Sequence, residues 1–91
     1  MAKIFARHTV RDFDSWSEVY QGEFSRGVRQ AGGMIDFKIF RSVDDPNDVT
    51  VVQTFDTVEA AKSYLNLSGL NDRMAAAGVV GRPSIWIVDG D

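Results

Sequence analysis

The stretch Lys3-Ile4-Phe5-Ala6-Arg7-His8-Thr9-Val10-Arg11-Asp12-Phe13-Asp14-Ser15-Trp16 contains the change of period that decides the fold. Up to Val10 the chain alternates. Ile4, Ala6, His8 and Val10 share one face of a strand, and Phe5, Arg7 and Thr9 share the other. Beyond Asp12 the period lengthens. Phe13, Trp16, Tyr20, Phe24, Val28 and Ala31 follow at spacings of 3, 4, 4, 4 and 3, which is one narrow helical stripe. Glu18, Gln21, Ser25, Arg26 and Arg29 lie on the opposite side of that helix. Asp12 and Asp14 both suit its N-cap, and Gly32-Gly33 suits its stop, because glycine takes the left-handed C-terminal conformation at little cost.

Outward from there, Ile35, Phe37, Ile39 and Arg41 alternate with Asp36, Lys38 and Phe40 as a second strand. Asp44-Asp45-Pro46-Asn47-Asp48 reads as a turn, and Val49 to Phe55 as the return arm of a hairpin. Asp56 and Glu59 have capping-box spacing before the stripe Val58, Ala61 and Leu65. Leu67-Ser68-Gly69 interrupts that helix. Ser68 can cap a short second piece through Leu70, Met74 and Ala77, closed by Gly78. Val79 to Pro83 then crosses back and Ser84 to Val88 forms the last strand.

The order strand–helix–strand–strand–helix–strand predicts an α+β, ferredoxin-like βαββαβ sandwich. Its four-stranded antiparallel sheet carries both helices on one face, and a single domain spans residues 1–91. Large apolar groups occupy both parities of two strands. Phe40 opposes Phe37 and Ile39, and Trp86 and Val88 oppose Ile85 and Ile87. A monomer would leave one such set wet, so a two-fold dimer packing sheet on sheet is expected. Arg7 would then face the partner sheet and meet a carboxylate such as Asp36 across the dimer.

Composition narrows the function classes. At 91 residues, a lone domain buries only about 60–70% of the surface of its extended chain, so dimerisation would help stability. A net charge of −3 argues against the basic footprint of nucleic-acid binding. With no cysteine, disulfides and thiolate catalysis or thiolate metal sites are excluded. No apolar run has membrane-spanning length, and the charged first strand is unlike a signal peptide, so a cytoplasmic protein is expected.

His8 is the one side chain whose ordinary pKa lies near neutrality. Parity with Val10 puts it on the helix-facing side, near Trp16. Three readings follow: a structural histidine bonded to a backbone carbonyl, a pocket acid or base, or a metal ligand, for which it lacks companions. Phe13, Trp16, Tyr20 and Phe24 are either plain core or the wall of a site for a planar ligand. Tyr64 flanks the second helix stripe, as a boundary residue or as a hydroxyl at a pocket rim. Arg41 lies beside Asp44 and Asp45, where a local ion pair is expected. Gly78-Val79-Val80-Gly81 follows a helix instead of opening one, so its dipole has the wrong sign for phosphate. The aspartates of the turn lack the long loop and distal Glu of a calcium site.

Three segments carry a family resemblance: Arg7 to Trp16, Arg41-Ser42-Val43-Asp44-Asp45-Pro46-Asn47-Asp48, and Ala75-Ala76-Ala77-Gly78-Val79-Val80-Gly81-Arg82-Pro83. Across nearly the whole chain the sequence resembles the small dimeric α/β-barrel proteins, whose bacterial members are labelled antibiotic-biosynthesis-monooxygenase-like or cyclase-type. The resemblance implies a homodimer whose two sheets form a barrel, with a pocket between helices and sheet in each subunit. Some relatives oxygenate or cyclise aromatic, polyketide-type molecules without metal or flavin. The expectation is therefore a homodimer that binds a small hydrophobic or aromatic ligand and acts on it as a monooxygenase or cyclase, with no cofactor and no metal. His8 is the candidate acid or base, Tyr64 the candidate donor, and Phe13 and Trp16 the ring-holding residues. The competing expectation is a non-catalytic ligand-binding or stress-associated dimer with the same pocket.

Overall fold

In the computed structural model, which describes residues 1–22, 27, 32–66 and 74–90, the chain forms β1 (Ala2–Val10), α1 (Phe13–Tyr20), β2 (Met34–Arg41), β3 (Asp48–Phe55), α2 (Val58–Leu65) and β4 (Val79–Asp89). The strands are antiparallel in the order β2-β3-β1-β4, with both helices on one face, which is the expected ferredoxin-like sheet. β1 is interior, so its alternation fixes the facing of both neighbours. Ile4 stands opposite Gln53 and Ile87, Ala6 opposite Val51 and Ile85, and His8 opposite Val49. The same rows continue into β2 through Phe37, Ile39 and Arg41.

Two clusters of buried side chains lie between sheet and helices. Ala2, Ile4 and Phe55 pack with Ala61 and Tyr64 of α2. Val10, Val49 and Val51 pack with Trp16 of α1. Among the described residues, the other sheet face has no helix. There Phe5 and Trp86 stack with ring centroids 5.5 Å apart, while Trp86 (46%) and Phe40 (53%) remain broadly exposed.

Several expected boundaries shift, each for a local reason. α1 ends at Tyr20 with Gln21 as C-cap, where the Gly22 N–H closes back on the Val19 carbonyl at 3.2 Å, and Gly27 is again helical. Phe24, Ser25, Arg26, Val28, Arg29 and Ala31 lie outside the described residues, as do Leu67, Ser68, Gly69 and Leu70. The cap of α1 is Asp12, whose carboxylate accepts from the Ser15 N–H at 3.0 Å. α2 is capped by Thr57, one residue later than Asp56, because the extended Thr57 backbone lets its hydroxyl accept from the Ala60 N–H at 3.1 Å. β4 begins at Val79, not Ser84. Arg7 pairs with Ser84 and Thr9 with Val80, which leaves Gly81-Arg82-Pro83 bulged opposite His8 alone. Gly81 supplies the positive φ of 73°, and Pro83, which has no N–H, is tolerated in a bulge on an edge strand.

Two arginines depart from expectation. Arg7 does face the open side, but its partner is Asp48 of the same chain, held by Nε at 3.1 Å and Nη2 at 2.7 Å, so Asp36 of a second copy is not needed. Arg41 forms no ion pair with Asp44 or Asp45 among the described residues. Its Nε donates to the Pro46 carbonyl at 3.1 Å, and its guanidinium lies 3.9 Å from the centroid of the Phe13 ring.

The β2–β3 turn also holds the start of α1. The Asn47 carbonyl accepts from Val10 N–H at 2.9 Å, and its Oδ1 accepts from Phe13 N–H at 3.0 Å. The turn is kept in shape by the Asn47 N–H donating to Asp45 Oδ1 at 2.9 Å. Asn47→Ala leaves the Phe13 N–H without its acceptor and should cost about 1–3 kcal/mol. Thermal unfolding should show a fall of several degrees; an unchanged midpoint would mean that water replaces the amide fully.

Candidate functional site

His8 enters the space between sheet and helices because it shares parity with Ile4 and Val10 on an interior strand. The side chain is only 8% exposed, and neither ring nitrogen has a hydrogen-bond partner among the described residues. Leaving such a group unsatisfied costs on the order of 1–3 kcal/mol. The backbone-carbonyl bond of the structural reading is therefore absent among the described residues. Burial pushes the imidazole pKa below its ordinary value of 6.5, and the Asp48 carboxylate acts weakly in the opposite direction. Asp48 itself is held low by its bond to Arg7. A neutral imidazole results, with one nitrogen able to accept a proton and the other able to donate one.

Around His8 stands a ladder of rings carried by α1. Trp16, buried, lies 5.4 Å from the His8 ring, 5.9 Å from Phe13 and 5.0 Å from Tyr20, on which it stacks at 19°. Tyr20 meets Phe37 of β2 edge-on at 5.2 Å. The helical spacing of Phe13, Trp16 and Tyr20 places all three on the sheet-facing side, and the bonds to Asn47 set where that spacing begins. The rings are offset or tilted, as ring quadrupoles favour.

His8, Phe13 and Trp16 are thus brought together. Tyr64 is not with them: it is buried against Phe55, with ring centroids 5.4 Å apart, in the cluster formed by Ala2, Ile4 and Ala61. Sequence reasoning missed Gln53. Its side chain is buried on the helix-facing row, and its Nε2 donates to the Tyr20 hydroxyl at 2.9 Å. The signal was present, since Gln53 is the one polar residue in the inward series Val49, Val51, Gln53, Phe55. No cluster of His, Asp and Glu able to hold a metal occurs among the described residues.

No family model matches the chain, and no curated protein sequence matches it. Solved structures do. An antibiotic-biosynthesis-monooxygenase-type protein from Nitrosomonas europaea is 17% identical, with a TM-score of 0.72 over 99% of this chain and 98% of that one. The cofactor-independent oxygenase SnoaB from Streptomyces nogalater is 16% identical, with a TM-score of 0.68 over 98% and 91%. A Streptomyces coelicolor monooxygenase in complex with nanaomycin D is 13% identical, with a TM-score of 0.74 over 99% and 87%. At such identities the likeness is one of fold, and at that level the resemblance read from the sequence holds. No helix among the described residues is long and apolar enough to cross a membrane.

The buried imidazole has a measurable consequence. Because its folded-state pKa is depressed, the unfolded chain binds the proton more tightly. Its contribution is therefore present above about pH 6.5 and is lost as pH falls through that value toward the folded pKa. His8→Phe removes both unsatisfied nitrogens and keeps a ring. The variant should be at least as stable as wild type at pH 7.5 and should lose less stability by pH 5. Denaturant titration at the two pH values reads both effects. An equal loss in the two proteins would show that His8 does not titrate abnormally.

Proposed function

We propose that this protein is a homodimer that binds a small hydroxylated aromatic, polyketide-like molecule and oxygenates it without a cofactor. The observation that carries this reading is His8, a buried imidazole against a wall of aromatic rings, with both nitrogens unpartnered among the described residues. A planar ligand bearing a hydroxyl supplies what the site lacks: a ring to lie beside Trp16 and Phe13, and a polar group to satisfy His8. In the reaction, the ring CH2 and its conjugated carbonyl present themselves as the enol tautomer, and neutral His8 takes the proton of that enol hydroxyl, leaving an electron-rich carbon at the former CH2 position. That carbon reduces dioxygen and forms a carbon–oxygen bond. Proton return from the imidazolium and loss of water then convert a ring CH2 and O2 into C=O and H2O. The substrate supplies the electrons, so the balance closes without flavin or metal. The fold shared with a cofactor-independent oxygenase supports the same reading.

The dimer is proposed from the open sheet face. Phe5, Phe40, Trp86 and Val88 share that face, with the last three exposed, and a second copy would cover them over about 1,200–2,000 Å². Wild type should sediment as a dimer at micromolar concentration and Phe5→Asp as a monomer; a monomeric wild type refutes the assembly.

The enzyme reading is tested with dithranol, a dihydroxyanthrone, in an oxygen electrode. Wild type should accelerate oxygen uptake. His8→Ala should lose roughly 100- to 10,000-fold of that rate while keeping the dimer. Equal rates in the two proteins, or no acceleration by either, would refute the catalytic role.

A further inference from the structure

We infer that Ala6 sets the size of ring this protein accepts, by leaving an unfilled strip of sheet between the two buried clusters. The inference rests on the ligand-binding reading above and adds where the ligand lies. Along the inward row of β1, Ala2, Ile4, His8 and Val10 are all buried, whereas Ala6 is only half-buried. Its register partner on β4, Ile85, also faces the helices and is nevertheless 37% exposed. The neighbours of Ile85 along that row behave differently: Ile87 packs against the α2 cluster and Val79 against the α1 cluster. Among the described residues, Ala6 and Ile85 join neither.

The strip is bounded by Ile4 at one end and His8 at the other, four residues apart on β1 and so about 13 Å. That length suits a fused system of two or three rings lying on Ala6 and Ile85, with its hydroxyl at His8. Entry is over the β4 edge, where the Gly81-Arg82-Pro83 bulge stands opposite His8 and interrupts the regular pairing of β1 with β4. A methyl group at position 6 is what keeps the strip open. Any larger side chain there would occupy the space of the ring.

The test uses alizarin, a three-ring dihydroxyanthraquinone, and phenol as a single-ring control, with binding followed by calorimetry. His8 is the only histidine, so its imidazole NMR signals report contact at that end of the strip without assignment of the whole protein. In wild type, alizarin should bind and shift those signals. Ala6→Val should weaken alizarin at least ~10-fold and leave phenol nearly unchanged, as added methylenes do in a filled site. Its melting temperature should hold or rise, because Val suits a strand and the added methyls have room. A tightly packed Ala6 would instead make Ala6→Val melt lower through overpacking, and that result overturns the inference. Ile85→Phe fills the same strip from the exposed edge and should also exclude alizarin. Undiminished alizarin binding by both variants, with the His8 signals still shifting, removes the role of Ala6 and leaves the ligand reading intact. Failure of wild type to bind either compound, with static His8 signals, overturns the ligand reading itself.

Discussion

The interior position of β1 is the constraint on which the rest of the structure depends. With β3 on one side and β4 on the other, its two-residue period dictates which side chains of three strands face the helices. A slip of one residue would carry Ile4 and Val10 to the bare face and bring Arg7 inward beneath Trp16, where its charge would have no partner. The register is held on the bare face as well. Lys3 Nζ reaches Thr54 Oγ1 at 3.0 Å and Arg7 grips Asp48, both across the β1–β3 pair. The Arg7–Asp48 pair, being exposed, adds little energy, and the Lys3–Thr54 bond is only part-buried. Their value is geometric, since they are compatible with one register only.

Fixing β1 divides the interior. α2 covers the end of the sheet that holds Ala2, Ile4 and Phe55, and α1 covers the end that holds Val10, Val49 and Val51. The row between them, at Ala6 and Ile85, is the least covered on the β1–β4 side. α1 itself is short, and an eight-residue helix is marginal by propensity alone. It is positioned from outside by Asn47, which bonds the strand end and the first helical N–H together, and by Arg41 lying on Phe13. The aromatic ladder beside His8 is therefore set by a hairpin turn more than thirty residues away in sequence.

The two faces of the sheet are electrostatically joined at this end. Asp48 is engaged by Arg7 on the bare face, and its negative charge favours a proton on His8 on the other. Burial opposes that effect and dominates it, which keeps His8 neutral. Such an imidazole carries the cost of two nitrogens that are unmet among the described residues. The shared fold alone does not assign them a partner, since one fold hosts many activities.

Periodicity and punctuation determined much of this protein. The six elements, the inward parity of His8, the stripe through Phe13, Trp16 and Tyr20, and the apolar groups on both sheet faces were all legible, because each is a local consequence of strand or helix geometry. Element ends were less legible: Thr57 displaced Asp56 as the cap, and β4 reached back to Val79, because competing local bonds and an edge bulge differ by little in energy. What only the tertiary structure decided were the pairings across the chain. Arg7 could have waited for a second copy or taken Asp48; Arg41 could have paired with an aspartate or covered Phe13; Tyr64 could have approached His8 or joined Phe55. Each choice is settled by distance in space between elements whose separation no residue period encodes. The same holds for the partial exposure of Ala6 and Ile85, which follows from where α1 and α2 lie on the sheet.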